Sequence, residues 1–92
     1  MSTAEGADTR LRNIVEAALF TAGRPLNIRQ LQALFVDEPV PSSDALNTVL
    51  QALEAECQGR GLELKEVASG WRYQARTDYA PWLARLWPER PA

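Results

Sequence analysis

The apolar residues of this 92-residue chain change their period once, at Leu62, and that change limits the folds open to it. Before Leu62 they recur three and four residues apart, as on one face of a helix. After it they alternate, as on one face of a strand. Leu11, Ile14, Val15, Ala18, Leu19 and Ala22 form the first helical stripe, with Asp8 or Thr9 as its cap and Gly23 at its end. Pro25 and Leu26 lead to Asn27, which opens a second helix. Gln30 stands three residues on as in a capping box, and Leu26 and Leu31 occupy the positions of a hydrophobic staple. Ile28, Leu31, Leu34 and Phe35 give that helix a narrow stripe. It should stop near Val36, before Pro39 and Pro41. Ser42 or Ser43 can cap a third helix, in which Leu46, Val49, Leu50, Leu53 and Cys57 face the core until Gly59 and Gly61 end it.

Leu62 and Leu64 then alternate with Glu63 and Lys65. Trp71, Tyr73 and Ala75 alternate with Arg72, Gln74 and Arg76. A Ser69-Gly70 turn between the runs predicts a β-hairpin, with Ala68 opposite Trp71, Leu64 opposite Ala75 and Glu63 opposite Arg76. That register puts Glu66 beside Tyr73 on the apolar face unless a bulge turns Val67 inward. Asp78 can cap a last short helix holding Trp82, Leu83 and Leu86, with Pro81 in its first turn.

Three helices, a two-stranded wing and a short C-terminal helix make a mainly α protein with a small β-hairpin, the element order of a winged helix-turn-helix. A lone hairpin is marginal in water, so the wing must pack on the helices. The length suits one such domain. Residues 1–8 are expected to be a flexible tail, 9–87 the winged-helix domain and 88–92 the start of a linker toward a second domain absent from this chain. No apolar run approaches the roughly 20 residues that span a bilayer, and the start is not a signal peptide. The expected location is cytoplasmic and nucleoid-associated, with no membrane partner.

Winged helices commonly bind DNA, and the charges test that reading. Ten Lys and Arg face twelve Asp and Glu, and between Gln30 and Gly59 there is no cation at all. The same stretch carries Asp37, Glu38, Asp44, Glu54 and Glu56, so bringing the third helix to a polyanion would cost electrostatic energy. Arg60, Lys65, Arg72 and Arg76 gather on or beside the wing and are the candidates for a weak nucleic-acid contact. They equally suit the solvated outer face of a small sheet, with Glu63 and Arg76 paired. A regulator touching DNA through its basic wing is the alternative function.

Enzymatic readings find no residues. The chain has no histidine, which removes the commonest general base and metal ligand. Cys57, on an apolar stripe without a histidine partner, reads as a small buried hydrophobe. No catalytic, cofactor-binding or metal-binding residue is assigned, and no cofactor is expected. The aromatic residues say more. Trp71, Tyr73, Tyr79, Trp82 and Trp87 all fall in the last third of the chain, more than so small a core readily covers. They are the candidate protein interface, since Trp and Tyr anchor interfaces. Trp71 and Trp82 could instead close the core beneath the hairpin.

Three stretches carry a family resemblance. The run from Asn13 to Leu26 (NIVEAALFTAGRPL), that from Gly59 to Tyr73 (GRGLELKEVASGWRY) and that from Arg76 to Trp82 (RTDYAPW) resemble segregation and condensation protein B, in that family's order and spacing. The resemblance implies the first of two tandem winged-helix domains, in a non-enzymatic subunit of a bacterial chromosome condensation complex. It also implies a homodimer, and binding to the kleisin subunit, segregation and condensation protein A, which bridges the heads of an SMC ATPase.

Overall fold

The computed structural model describes residues 3–87, with side chains from Thr9 onward; the expected linker at 88–92 lies outside the described residues. Three helices precede an antiparallel hairpin: α1 (Thr3–Ala22), α2 (Ile28–Gln32), α3 (Ser43–Glu56), β1 (Leu62–Val67) and β2 (Gly70–Ala75). A short helix, α4 (Ala80–Leu83), follows between two 3₁₀ turns, Thr77–Tyr79 and Ala84–Leu86. This is the winged-helix order.

Helix α1 begins at Thr3, ahead of the expected cap at Asp8 or Thr9, so most of the expected 1–8 tail continues the helix. Nothing in Ala4 to Asp8 breaks a helix except Gly6, which costs only about 1 kcal/mol. Gly23 ends the helix at φ 69°, a left-handed turn that glycine enters without strain.

Asn27 caps α2 as the sequence requires. Its side chain accepts from the Gln30 amide at 2.8 Å, and the Gln30 side chain accepts from the Asn27 amide at the same distance. The helix stops at Gln32, four residues before Val36. Leu34 and Phe35 there donate to carbonyls three residues back, at Leu31 and Gln32. That tighter winding turns Phe35 into the interior and leaves Leu34 exposed, off the stripe expected for it.

Ser42 caps α3, accepting from the Ala45 amide at 3.0 Å. Leu46, Leu50 and Leu53 of α3 meet Val15 and Leu19 of α1, Leu31 of α2, Leu26 of the connector and Leu64 of β1 in one buried cluster. Burying a Leu or Val side chain contributes about 1.5–3 kcal/mol, so this cluster holds the domain together. Cys57 is buried at the end of α3.

The hairpin departs from the expected register. Its turn is Ala68-Ser69, one residue earlier than Ser69-Gly70, and Val67 pairs with Gly70, Leu64 with Tyr73 and Leu62 with Ala75. Pairing is continuous, so no bulge turns Val67 inward. Glu66 sits opposite Trp71 near the turn of the hairpin, exposed to water, which removes the conflict with Tyr73. The cause is a contact distant in sequence. The backbone of Leu26 bridges to Trp71 as a one-residue third strand.

The end of the chain also differs. Asp78 makes no capping bond, and the position before α4 is Tyr79, with Pro81 in the first turn. This C-terminal segment makes its main contacts within itself, and none of its residues is buried.

Candidate protein-interaction surface

The structure divides the five sequence-selected aromatics into two groups. Trp71 and Tyr73 lie two residues apart on β2, on the hairpin face that packs against the core cluster, and both are partly buried. They serve the fold first. Tyr79, Trp82 and Trp87 stand on the C-terminal segment, with Trp82 63% and Trp87 58% exposed. The Tyr79 and Trp82 rings are tilted at 52° with centroids 6.4 Å apart, the off-parallel geometry aromatic pairs favour. Trp82 therefore does not close the core. Leu86 is also exposed beside them in sequence, so the segment presents an apolar, aromatic surface that the rest of the domain leaves uncovered.

Two further apolar residues belong to a second surface: Phe20, outside the helical stripe of α1, and Leu62, expected on the packed face of the wing. Phe20 is 80% exposed and Leu62 51%. With Ala17, Leu53, Cys57 and Tyr73 they line a depression of about 330 Å³ between α1, the end of α3 and the sheet. A signal was present for Phe20: it is a large apolar side chain just outside the helical stripe of α1.

Charge closes one side of this depression. Arg12 of α1 reaches α3, its Nε donating to Glu56 Oε2 at 2.9 Å while its Nη2 contacts Glu56 Oε1, and its Nη1 lies 3.4 Å from Glu16. The bond from Arg12 holds the Glu56 carboxyl below its usual range, and the same bond raises the Arg12 guanidinium. The Tyr73 hydroxyl is pushed up to about 12, chiefly by burial and then by the negative field of Glu16. It stays neutral at any physiological pH.

The four basic candidates also separate. Arg76 is committed to the fold: its Nε donates to the Arg60 carbonyl at 2.7 Å and its Nη2 to the Cys57 carbonyl at 2.8 Å. Its Nη1 lies 3.7 Å from Glu63, the ion pair expected across the wing, although Glu63 faces Gln74 in the register. Arg60 stands at the depression, in the field of Glu56. Lys65 and Arg72 are exposed and face each other across the strands. Among the described residues no cluster of three His, Cys, Asp or Glu side chains could hold a metal ion, and no helix is long and apolar enough to cross a membrane.

Fold and surface together define a winged-helix domain whose third helix is acidic and whose uncovered surface is apolar and aromatic. Comparison with known proteins names its family. Residues 13–92 match the family model of the segregation and condensation complex subunit ScpB, and the chain belongs to that family. It is 44% identical over 79 residues to a segregation and condensation protein B homolog of Coxiella burnetii, covering 86% of this chain and 38% of that protein. It is 35% identical over 83 residues to segregation and condensation protein B of Syntrophotalea carbinolica, covering 88% and 40%. The chain thus spans about two fifths of the length of these relatives. Its fold is similar to a solved dimer of the ScpB N-terminal domain complexed with a ScpA peptide, with a TM-score of 0.72 and 30% identity over 87% of this chain and 98% of that one. ScpB from Mycobacterium tuberculosis superposes with a TM-score of 0.74 at 26% identity, over 92% of this chain and 53% of that one.

Proposed function

We propose that this chain is a homodimerising interaction module of a bacterial chromosome condensation and segregation complex. In that role it engages a kleisin subunit, and through it an SMC ATPase, without chemistry of its own. The observation that carries the reading is the exposed aromatic segment Tyr79–Trp87 on a domain whose core is complete without it. Exposed Trp and Tyr on a scaffold that offers no catalytic group are suited to anchoring a partner, since such residues dominate interface energies. The similar ScpB N-terminal domain was solved as a dimer holding a ScpA peptide, which supports both kinds of contact. A cytoplasmic, nucleoid-associated location follows from the same role. The rival reading, a transcriptional regulator, is not favoured, because the family and its relatives are condensation subunits.

Light scattering over a micromolar concentration series tests the proposal. The chain should run as a dimer, and Trp82→Ala should shift it toward monomer while circular dichroism stays unchanged. A strict monomer, or a dimer indifferent to Trp82 and Trp87 alike, would overturn the aromatic segment as the dimer surface.

A further inference from the structure

We infer that the outer edge of β2, at Tyr73 and Ala75, takes up an extended peptide segment of alternating apolar and acidic residues as an added strand. The segment belongs to the kleisin partner, so the inference rests on the interaction reading above.

The first ground is the direction of the backbone. Along a strand the N–H and C=O groups of successive residues point to opposite sides. Trp71 turns both of its groups outward, since it exchanges backbone bonds with Leu26 at 2.9 and 2.8 Å. Tyr73 and Ala75 therefore turn theirs to the same side, away from β1. Among the described residues these two N–H and two C=O groups have no backbone partner, and Ala75 is exposed. The Leu26 bridge would continue by pairing Arg24 with Tyr73, but no such bond forms, because Gly23 at φ 69° turns the chain back into α1. The third strand is one residue long, and the edge beyond it is a template for another chain.

The second ground is the space left by the departing connector. A depression of about 550 Å³ separates Gly23 and Pro25 from Tyr73 and Ala75, with Phe20 of α1 and Leu62 of β1 along it. Residues of an added strand opposite Tyr73 and Ala75 share their face of the sheet, the one turned to Leu62 and Phe20. Apolar side chains suit both positions and would cover the strongly exposed Phe20 ring. The residue between them falls on the other face, beside Gln74 and diagonal to Arg72.

The third ground is charge. The charged residues lining the depression are Arg24 and Arg72, with no carboxylate. Neither forms an ion pair among the described residues. Glu63 of β1, which faces Gln74, is held by Gln74 and Arg76. An acidic residue at the intervening position thus finds an unpaired guanidinium at Arg72. The outer edge of β1 is the poorer template, since its six residues include Glu63, Lys65 and Glu66, and such charges keep edge strands from pairing. A second copy joining through its own β2 edge would add another Arg72 and Arg76 to the cations already there.

Amide hydrogen exchange, followed by NMR on the isotope-labelled chain with and without segregation and condensation protein A of the same genome, tests the inference. Alone, the chain should exchange slowly at the Trp71 amide, which is bonded to Leu26, and rapidly at Ala75. The kleisin should slow exchange at Tyr73 and Ala75 by at least about tenfold. Ala75→Pro removes one outward N–H where an edge strand tolerates proline. It should weaken kleisin binding about tenfold or more, with an unchanged circular dichroism spectrum. If that variant loses its fold, exchange in the parent chain decides alone. A kleisin that binds while both amides exchange as before overturns this inference only. Protection at Leu64 and Glu66 instead, or protection of Tyr73 and Ala75 that rises with the chain's own concentration and needs no kleisin, does the same. A kleisin that does not bind at all overturns the interaction reading, and this inference with it.

Discussion

Leu26 and Trp71 exchange both of their backbone hydrogen bonds, Leu26 N–H donating to the Trp71 carbonyl at 2.9 Å and Trp71 N–H to the Leu26 carbonyl at 2.8 Å. Forty-five positions separate them, yet this pair ties the helix-turn-helix to the wing. It satisfies the edge of β2 at Trp71, which a two-stranded hairpin would leave open, and sets the plane from which Trp71 and Tyr73 pack onto the core.

Gly70 is the residue this bridge demands. Its φ is 143°, and a Cβ there would lie 2.4 Å from both the carbonyl carbon and oxygen of Leu26, and 2.7 Å from the Asn27 nitrogen. All three are backbone atoms, so no side chain can turn aside. Gly70→Ala should therefore cost about 2–4 kcal/mol through strain and loss of the bridge. Urea unfolding at fixed protein concentration measures it, and an unchanged midpoint would refute the close approach.

The same glycine shows where the sequence was legible and where it was not. Local chemistry announced the capping box at Asn27, the Ser42 cap, the left-handed Gly23 and the leucine stripe of α3, because each depends on residues within a turn or two. Gly70 reads locally as a turn glycine, and on that basis the hairpin slips by one residue. Its function is instead to let a distant backbone approach, which no local pattern records. The site follows the same division. The clustering of aromatics was visible, but their sorting into Trp71 and Tyr73 against the core and Tyr79, Trp82 and Trp87 in water required the tertiary packing. Phe20 was missed because it lies outside the helical stripe of α1, whereas Leu62 is part of the alternating face of the wing and only the fold leaves it half exposed, at the end away from the turn.

That sorting predicts opposite outcomes for two tryptophans. Trp71→Ala removes a large side chain packed on the core cluster and should destabilise the fold by about 2–4 kcal/mol. Trp87→Ala removes an exposed ring from the C-terminal segment, and the fold should stay within about 0.5 kcal/mol of the parent. Thermal unfolding of the two variants at one concentration decides the matter. Equal losses would mean that the segment is part of the core after all.

Tyr73 sets the alkaline limit. A free tyrosine ionises near pH 10, whereas in the fold this hydroxyl is held to about 12, mainly by burial. The folded state thus favours the neutral phenol. Its contribution is complete below about pH 10 and is lost as pH rises through about 12. Denaturant midpoints should fall over that window, and Tyr73→Phe, which cannot ionise, should flatten the fall. A decline of the same steepness in Tyr73→Phe would assign the alkaline limb to other groups.

The Arg12–Glu56 pair acts at the other end of the pH scale. The bond from Arg12 depresses the Glu56 carboxyl in the fold, while in the unfolded chain it titrates near 4.3. Its contribution is therefore present above that value and disappears as pH falls through the lower, folded one. Glu56 is about half exposed, so water and salt screen the pair, and the contribution should stay below about 1 kcal/mol. Glu56→Gln keeps the size of the side chain and removes its charge. The variant should be slightly less stable than the parent at pH 7, with the difference shrinking in high salt and vanishing near pH 2. Urea midpoints at the two pH values measure this directly. A deficit that persists in acid would mean that the glutamate acts through packing between α1 and α3 instead of through its charge.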